Sequence, residues 1–357
     1  MTRIALFLPN WIGDVVMATP AVRAVRAAFP DAELIAVCKP YVADVLAGAP
    51  WFTETVLADK RGPRERRLFA VAGRLRAKPL DAALLFPNSF RTALLAYLGG
   101  AKRIVGFRRY ARGVFLTDKL QAKTDPRGRF VPTPALDDYN RLARALGTGE
   151  PGHRMELFTT PADEAAAAAV WERFDLHRYP RVVALNPGAA FGAAKHWGSD
   201  HFAELARGLS ARLGCGVLVV CGPGEREMAR RIADESRSPH VFPLSDGPLS
   251  LGLTKALVRR ADLLVTTDSG PRHFAAAFDR PVVSLFGPTH IEWTETYFAR
   301  EICLQKKLPC GPCQQRVCPL GHHRCMRELA PAEVFAAADR LLTRVPLAVR
   351  EEVPRAA

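Results

Sequence analysis

Asp14 is the first residue whose type and position suggest chemistry. It follows an apolar run, residues 4–9, and stands at the start of a helical pattern that continues to about Phe29. In doubly wound sheets, ligands bind where strands end and helices begin. A carboxylate there is either an N-cap that accepts backbone N–H bonds or a general base that takes a proton from a substrate hydroxyl. The sequence leaves both interpretations open.

Two turns in the second half carry charged residues that suit a nucleotide. The glycine-rich loop NPGAAFGAAKHW lets the backbone approach a ligand closely, and Lys195 within it can place a cation against phosphate. The alternative is an exposed lysine in an ordinary loop. Glu225, in CGPGERE, can accept hydrogen bonds from ribose hydroxyls or cap a helix. Neither turn matches a P-loop or the dinucleotide fingerprint.

The segment TTDSGPRHFAAAF predicts an anion site at a helix start. Asp268 or Ser269 can cap the helix, and Gly270 allows a ligand to come close. The unpaired N–H groups and the positive end of the helix dipole then face the ligand, with His273 in the first turn. After a strand in the second half of a two-domain chain, this arrangement favours a nucleotide diphosphate.

Four cysteines lie close together in the sequence, at Cys310, Cys313, Cys318 and Cys325. Their spacing supplies enough ligands for a tetrahedral structural zinc ion. It lacks the long spacer between two Cys-x2-Cys pairs, so unligated or redox-active thiols are the alternative.

Alternating strands and helices must position these residues. Apolar runs predict strands at 4–9, 32–40, 81–88, 102–107, 181–188, 216–222, 262–268 and 281–287, and helical patterns fall between them. Two such halves predict an α/β fold of two Rossmann-like, doubly wound parallel-sheet domains with a cleft between them. We expect an N-terminal domain over 1–170, a C-terminal domain over 171–330, and a closing helix and tail over 331–357.

The excess of positive over negative charge falls in one part of the chain. The 357 residues have a formal net charge of +14, and the segment from Lys60 to Arg129, with 18 Lys or Arg and 4 Asp or Glu, carries all of it. Such a block suits nucleic acid, a phosphorylated substrate or an anionic membrane face, or it is a solvated surface. No long apolar run and no signal peptide is evident, which predicts a cytoplasmic protein without a membrane span.

Five segments together resemble the heptosyltransferases of lipopolysaccharide core synthesis, glycosyltransferase family 9. They are LPNWIGDVVMATPAVRAVR, FPNSFRTALLAYLGGAKRIVGFRR, NPGAAFGAAKHWGSDHFAEL, TDSGPRHFAAAFDRPVVSLFGPT and PCGPCQQRVCPLGHHRCM. The resemblance covers nearly the whole chain. It is closer to the heptosyltransferase II branch than to heptosyltransferase I, notably in PNSFRTALLAYL and the cysteine-rich segment.

The resemblance implies an inverting glycosyltransferase of the GT-B architecture. The implied donor is ADP-L-glycero-β-D-manno-heptose, and the implied acceptor is the inner core of lipid A, at the first heptose of Hep-Kdo2-lipid A. The family's catalytic base falls on Asp14, its donor-phosphate lysine on Lys195 and its ribose-binding glutamate on Glu225. Its last donor-binding motif falls on Asp268, Ser269, Gly270 and His273.

The acceptor gives the basic segment a role. Lys60, Arg61, Arg64 and Arg108 are the candidate residues for binding the phosphorylated acceptor at the cytoplasmic face of the inner membrane, where we expect peripheral association. No metal or other cofactor is required for catalysis, and no nucleic acid partner is expected.

Four alternatives remain for comparison. An NAD-linked oxidoreductase needs a complete Gly-x-Gly-x-x-Gly after the first strand, and LPNWIGD has one glycine. A nucleic-acid-binding protein would use the basic block and a zinc knuckle, and would bind oligonucleotides without turning over a sugar nucleotide. A nucleotide-sugar epimerase of the same fold would act on the donor without an acceptor, and a related transferase could carry another sugar.

Overall fold

The structure, a computed structural model, describes residues 1–344. The chain folds into two compact units. The first unit comprises Met1–Asp163 together with His290–Phe298. The second comprises Glu164–Thr289 and the chain from Ala299 onward. The predicted tail after the last helix, 345–357, lies outside the described residues.

The first unit is built on a six-stranded sheet in the order β3-β2-β1-β4-β5-β6, with every pair parallel. This is the Rossmann strand order. Strands are added to one side of β1 up to β3, and the order then reverses, so that β4 lies on the other side of β1. The inner strands are continuous apolar runs because helices cover both faces of the sheet. The strands are β1 (Arg3–Phe7), β2 (Glu33–Cys38), β3 (Glu54–Leu57), β4 (Leu80–Leu85), β5 (Ala101–Phe107) and β6 (Asp118–Leu120).

The helices of the first unit follow the strands in alternation. They are α1 (Ile12–Met17), α2 (Thr19–Ala28), α3 (Pro40–Leu46), α4 (Leu68–Arg76), α5 (Phe90–Leu98) and α6 (Ala135–Leu146). Short 3₁₀ turns occupy Arg64–Arg66 and Arg112–Phe115.

The second unit repeats the same topology. Its sheet has the order β9-β8-β7-β10-β11-β12, and all pairs are again parallel. The strand order therefore reverses between β7 and β10. The strands are β7 (Val182–Asn186), β8 (Gly216–Val219), β9 (Val241–Pro243), β10 (Leu263–Thr267), β11 (Val282–Phe286) and β12 (Glu301–Gln305).

The helices of the second unit cover both faces of its sheet. They are α7 (Pro161–Arg173), α8 (Ser199–Leu213), α9 (Arg226–Ser236), α10 (Leu251–Arg260), α11 (Gly270–Ala277), α12 (Arg324–Arg327) and α13 (Pro331–Arg344). Further 3₁₀ turns lie at Leu176–Arg178, Ala193–Lys195 and Pro223–Glu225, and one at Ile291–Thr294 belongs to the first unit.

The units divide the chain differently from the predicted domains of 1–170, 171–330 and 331–357. Trp171 of α7 packs into a core cluster with Leu218 and Leu257, so this helix belongs largely to the second unit. The closing helix α13 packs into that unit's main core and is not a separate element. The segment His290–Phe298 belongs to the first unit, where the Tyr297 hydroxyl donates to Asp137 Oδ2 at 2.7 Å.

Within residues 1–344, no helix is both long enough and apolar enough to cross a membrane.

Candidate active site

Asp14 lies beyond the carboxyl end of β1, beside the point where the first sheet reverses. Helix α1 begins at Ile12 with Trp11 in the N-cap position, so Asp14 is the third helical residue. The interpretation of Asp14 as the N-cap is therefore wrong. Its side chain is partly buried.

Tyr139 of α6 is the partner of Asp14. Its hydroxyl donates a hydrogen bond to the Asp14 carboxylate, and its ring packs edge-on against Phe86, with centroids 5.3 Å apart. Burial, followed by the charges of Asp14 and Asp138, holds the pKa of Tyr139 well above its usual range. Tyr139 therefore keeps its proton and acts as a hydrogen-bond donor that orients the carboxylate. No sequence pattern indicates this contact, because it joins residues far apart in the chain.

In the second unit, side chains join the ends of the two strands at the reversal point. Asn186, the last residue of β7, is paired in register with Thr266 of β10. Its Nδ2 donates to Thr266 Oγ1 and to Ser269 Oγ, both at 2.9 Å. Thr267 Oγ1 donates to the carbonyl of Gly188 at 2.6 Å. The loops after β7 and β10 thus form one rigid edge.

Lys195 and Asp268 form a buried ion pair at this edge. Lys195 Nζ donates to Asp268 Oδ2 at 2.5 Å and to the Asp268 carbonyl at 2.9 Å, and the two residues are 7% and 6% exposed. Thr289 Oγ1 donates to the same carboxylate at 2.7 Å. Burial alone would raise the pKa of Asp268, but the charges of Lys195 and Arg272 outweigh burial and lower it. The interpretation of Lys195 as an exposed loop lysine is wrong.

Helix α11 begins immediately after this pair. Ser269 is its N-cap residue, but the Ser269 side chain makes no capping bond and binds Asn186 instead. His273, in the first turn, is 2% exposed, and its Nδ1 has no hydrogen-bond partner within the described residues. Burial and the neighbouring Arg272 lower the pKa of His273 to about 3, so the ring is neutral at physiological pH. A helix N-terminus and a neutral polar ring therefore stand beside the Lys195–Asp268 pair.

Glu225 lies at the same edge of the second sheet. Its Oε2 accepts the N–H of Gly222 at 2.7 Å, which closes the turn after β8. A Cβ added at Gly188 would lie 2.0 Å from Glu225 Oε1. The carboxylate therefore rests directly on the backbone of the loop that follows β7, and only glycine permits this approach.

The predicted acceptor residues are all on the surface of the first unit. The side chains of Lys60, Arg61, Arg64 and Arg108 are exposed and have no ion pair within the described residues. Other cations of the basic segment are structural: Arg103 pairs with Asp118 at 2.7 Å, and Arg112 is fully buried. The positive surface is smaller than the formal charge implies.

The four cysteines of the C-terminal cluster are free thiols in this structure. Within residues 1–344, no three His, Cys, Asp or Glu side chains converge as metal ligands. Backbone N–H groups, that of His323 first, lower the pKa of Cys318. Burial and then the thiols of Cys313, Cys318 and Cys310 raise the pKa of Cys325. The structural zinc ion stays a prediction.

Known proteins are similar to this chain in sequence. The model of the family described as glycosyltransferase family 9 (heptosyltransferase) matches residues 68–324. A lipooligosaccharide heptosyltransferase 2 from Campylobacter jejuni subsp. jejuni serotype O:2 is 25% identical over 343 residues, which cover 95% of this chain and 98% of the relative.

Two solved structures have the same fold. A glycosyl transferase family 9 protein from Veillonella parvula DSM 2008 superposes with a TM-score of 0.81 at 24% identity, covering 96% of this chain and 98% of that one. E. coli ADP-heptose LPS heptosyltransferase II superposes with a TM-score of 0.78 at 24% identity, covering 96% and 99%. The predicted fold class, α/β of the GT-B architecture, is confirmed.

Proposed function

We propose that this chain, which belongs to glycosyltransferase family 9 (the heptosyltransferases), transfers heptose from ADP-heptose to the first heptose of Hep-Kdo2-lipid A. As a member of that family the chain is a glycosyltransferase and a heptosyltransferase of the lipopolysaccharide core, as the sequence predicted. The observation that carries the proposed donor is the buried Lys195–Asp268 pair at the start of α11.

The second unit supplies the features that a nucleotide diphosphate needs. Lys195 Nζ has one N–H beyond its two bonds to Asp268, and the N-terminus of α11 places partial positive charge at the strand edge. Glu225, held on the backbone of Gly188, is our candidate for the ribose hydroxyls. The solved E. coli relative is itself named for ADP-heptose, which supports the same donor here.

Asp14 is our proposed general base in the first unit. As the acceptor hydroxyl attacks the anomeric carbon, its proton passes to the Asp14 carboxylate, and a new C–O bond forms. The bond from that carbon to the diphosphate oxygen breaks, and ADP leaves with the electron pair. Attack opposite to the leaving group inverts the anomeric configuration. Tyr139 keeps the carboxylate aligned, while Lys195 and α11 stabilise the charge that grows on ADP.

The acceptor is a lipid that carries phosphate and carboxylate groups. Lys60, Arg61, Arg64 and Arg108 are exposed and without ion pairs within the described residues, so their charges are available to it. Such an acceptor would be met at the cytoplasmic face of the inner membrane, where we propose that the protein associates peripherally.

We propose no metal or other cofactor for catalysis, because the N-terminus of α11 and the remaining N–H of Lys195 can stabilise the leaving diphosphate. The structural zinc ion predicted at Cys310, Cys313, Cys318 and Cys325 is a separate question. Metal analysis of the purified protein, with Cys313→Ser as the comparison, tests it.

The acceptor proposal is tested with two purified lipids. ADP-heptose would be incubated with the protein and either Kdo2-lipid A or Hep-Kdo2-lipid A, and both ADP release and product mass would be followed. We expect transfer to the heptose-bearing lipid alone, with the opposite anomeric configuration from the donor. Transfer to Kdo2-lipid A would assign an earlier acceptor. Donor consumed equally without any lipid would favour an epimerase or a hydrolase.

A further inference from the structure

Helix α5 of the first unit exposes a stripe of apolar side chains. Phe90, Leu94 and Tyr97 recur at the spacing that places them on one side of a helix, and Phe90 and Tyr97 are 46% and 58% exposed. Ala93 and Ala96 face the core. The exposed stripe is therefore separate from the buried face by which α5 packs on the sheet.

The 3₁₀ turn Arg112–Phe115 widens this stripe. The Phe115 ring lies 5.2 Å from the Phe90 ring and 5.4 Å from the Tyr97 ring, and Val114 beside it is 79% exposed. We call the surface formed by Phe90, Leu94, Tyr97, Val114 and Phe115 the α5 face.

The turn that presents Val114 is held rigidly. Tyr110 and Ala111, just before it, both have left-handed φ angles, of 49° and 57°. Two consecutive non-glycine residues in this region persist only where the surrounding structure fixes them.

Arg112 provides that support. Its buried guanidinium donates to the Phe107 carbonyl and to Asn88 Oδ1, both at 2.8 Å, and also to the Pro87 carbonyl. Burial, and then the charge of Arg109, lower the pKa of Arg112 to about 10, so it remains charged at neutral pH. The turn is thus fixed to the loops that follow β4 and β5.

Positive charge borders the α5 face. Arg91 is exposed next to Phe90, and Arg108 lies over Gly113, with its Cγ 3.3 Å from where a Cβ on that glycine would be. Neither arginine has an ion pair within the described residues. Helix α5 and the turn contain no Asp or Glu.

We propose that the α5 face docks on an anionic lipid bilayer. Exposed aromatic and aliphatic tips insert at the boundary between headgroups and acyl chains, and bordering arginines pair with lipid phosphates. This inference rests on the proposed function, because a lipid acceptor must be met at a membrane. Arg108, the predicted acceptor residue at the border, connects the face to that acceptor.

A second copy of the chain fits this face less well. Stable protein interfaces use roughly 20–30 residues on each side, and the α5 face offers five apolar side chains. A two-fold contact would also bring the two arginine borders together. A nucleic acid would engage the charge but would leave the aliphatic Val114 and Leu94 without a role.

Vesicle sedimentation of the full chain tests the proposal. Vesicles of phosphatidylcholine alone would be compared with vesicles of equal parts phosphatidylcholine and phosphatidylglycerol. We expect wild type to bind the anionic vesicles, with about tenfold weaker partitioning for Val114→Asp and Tyr97→Ser and about fivefold weaker partitioning for Arg91→Gln. Val317→Asp is the matched control, because Val317 is 68% exposed in the second unit.

The outcomes separate this inference from the proposed function. Equal binding of wild type, Val114→Asp and Val317→Asp would overturn the docking face, whatever the enzyme does. A wild-type dimer lost in Val114→Asp, or oligonucleotide binding lost in the same variant, would also overturn it in favour of another partner. Turnover of a deacylated, water-soluble acceptor should be unchanged in Val114→Asp, so failed transfer in wild type would count against the proposed function alone.

Discussion

His273 is a buried residue whose protonation state depends strongly on its surroundings. Its pKa of about 3 lies below the unfolded value near 6.5, because burial and Arg272 disfavour the charged ring. Above about pH 6.5 both states are neutral and the residue has no pH-dependent effect. As pH falls below about 6.5, His273 becomes protonated in the unfolded chain but stays neutral in the folded chain. The free energy of unfolding therefore decreases.

We therefore expect the unfolding free energy of wild type to fall with decreasing pH by up to about 1.4 kcal/mol per pH unit more than that of His273→Gln. Urea unfolding of both proteins between about pH 7 and pH 5 measures this difference. His177→Gln is the control, since that side chain is 54% exposed. Parallel pH dependence in wild type and His273→Gln would show that His273 is not buried in its neutral form.

Tyr139→Phe tests how Asp14 is positioned. The variant removes a hydroxyl that donates to the Asp14 carboxylate and keeps the ring that packs on Phe86. We expect kcat/KM to fall about tenfold and the acid side of its pH profile to move upward, because a carboxylate that loses a donor is protonated more readily. Tyr297→Phe also removes a hydroxyl bound to a carboxylate, that of Asp137, and should leave both quantities unchanged.

At the scale of elements, the loops after β7 and β8 meet at one close contact. In Gly188→Ala the new Cβ would occupy the position of the Glu225 carboxylate, which must move away. We expect about tenfold weaker ADP binding by calorimetry, with little change in thermal stability, because only the end of a flexible side chain is displaced. Gly224→Ala has open space around it and should bind ADP normally. Normal ADP binding by Gly188→Ala would remove Glu225 from the donor site.

The strands that the sequence predicted are the inner ones. The four that it did not predict, β3, β6, β9 and β12, are the edges of the two sheets. Each has three to five residues and is partly exposed, as in β12. A strand buried on both faces shows as a continuous apolar run, whereas an edge strand has no such constraint and leaves no clear pattern.

The same limit applies to the site. Asp14, Lys195, Glu225 and Asp268 could be predicted because each follows an apolar run at the edge where parallel strands end. Asn186 and Tyr139 could not, since their partners are brought to them only by the strand order and by the packing of α6 on α1.

At the scale of the whole molecule, the exposed cations that we assign to the acceptor lie in the first unit and the predicted phosphate site in the second. Exposed charges are screened by salt, whereas the Lys195–Asp268 pair is buried and much less affected. We therefore expect the KM for the lipid acceptor to rise severalfold between low and physiological ionic strength, while the KM for ADP-heptose changes little. Steady-state kinetics in a series of KCl concentrations measures both. An equal rise in both constants would contradict the assignment of the exposed cations to the acceptor.

Heptose transfer by Asp14→Asn tests most directly whether Asp14 is the general base. The variant keeps the size of the side chain and its place in α1 but cannot accept the proton of the acceptor hydroxyl. Acceptor-dependent ADP release would be measured for wild type and variant at saturating donor, with ADP affinity measured in parallel. We predict a loss of about 100-fold or more in kcat with unchanged ADP binding. Transfer at the wild-type rate by Asp14→Asn would contradict the claim that Asp14 is the base.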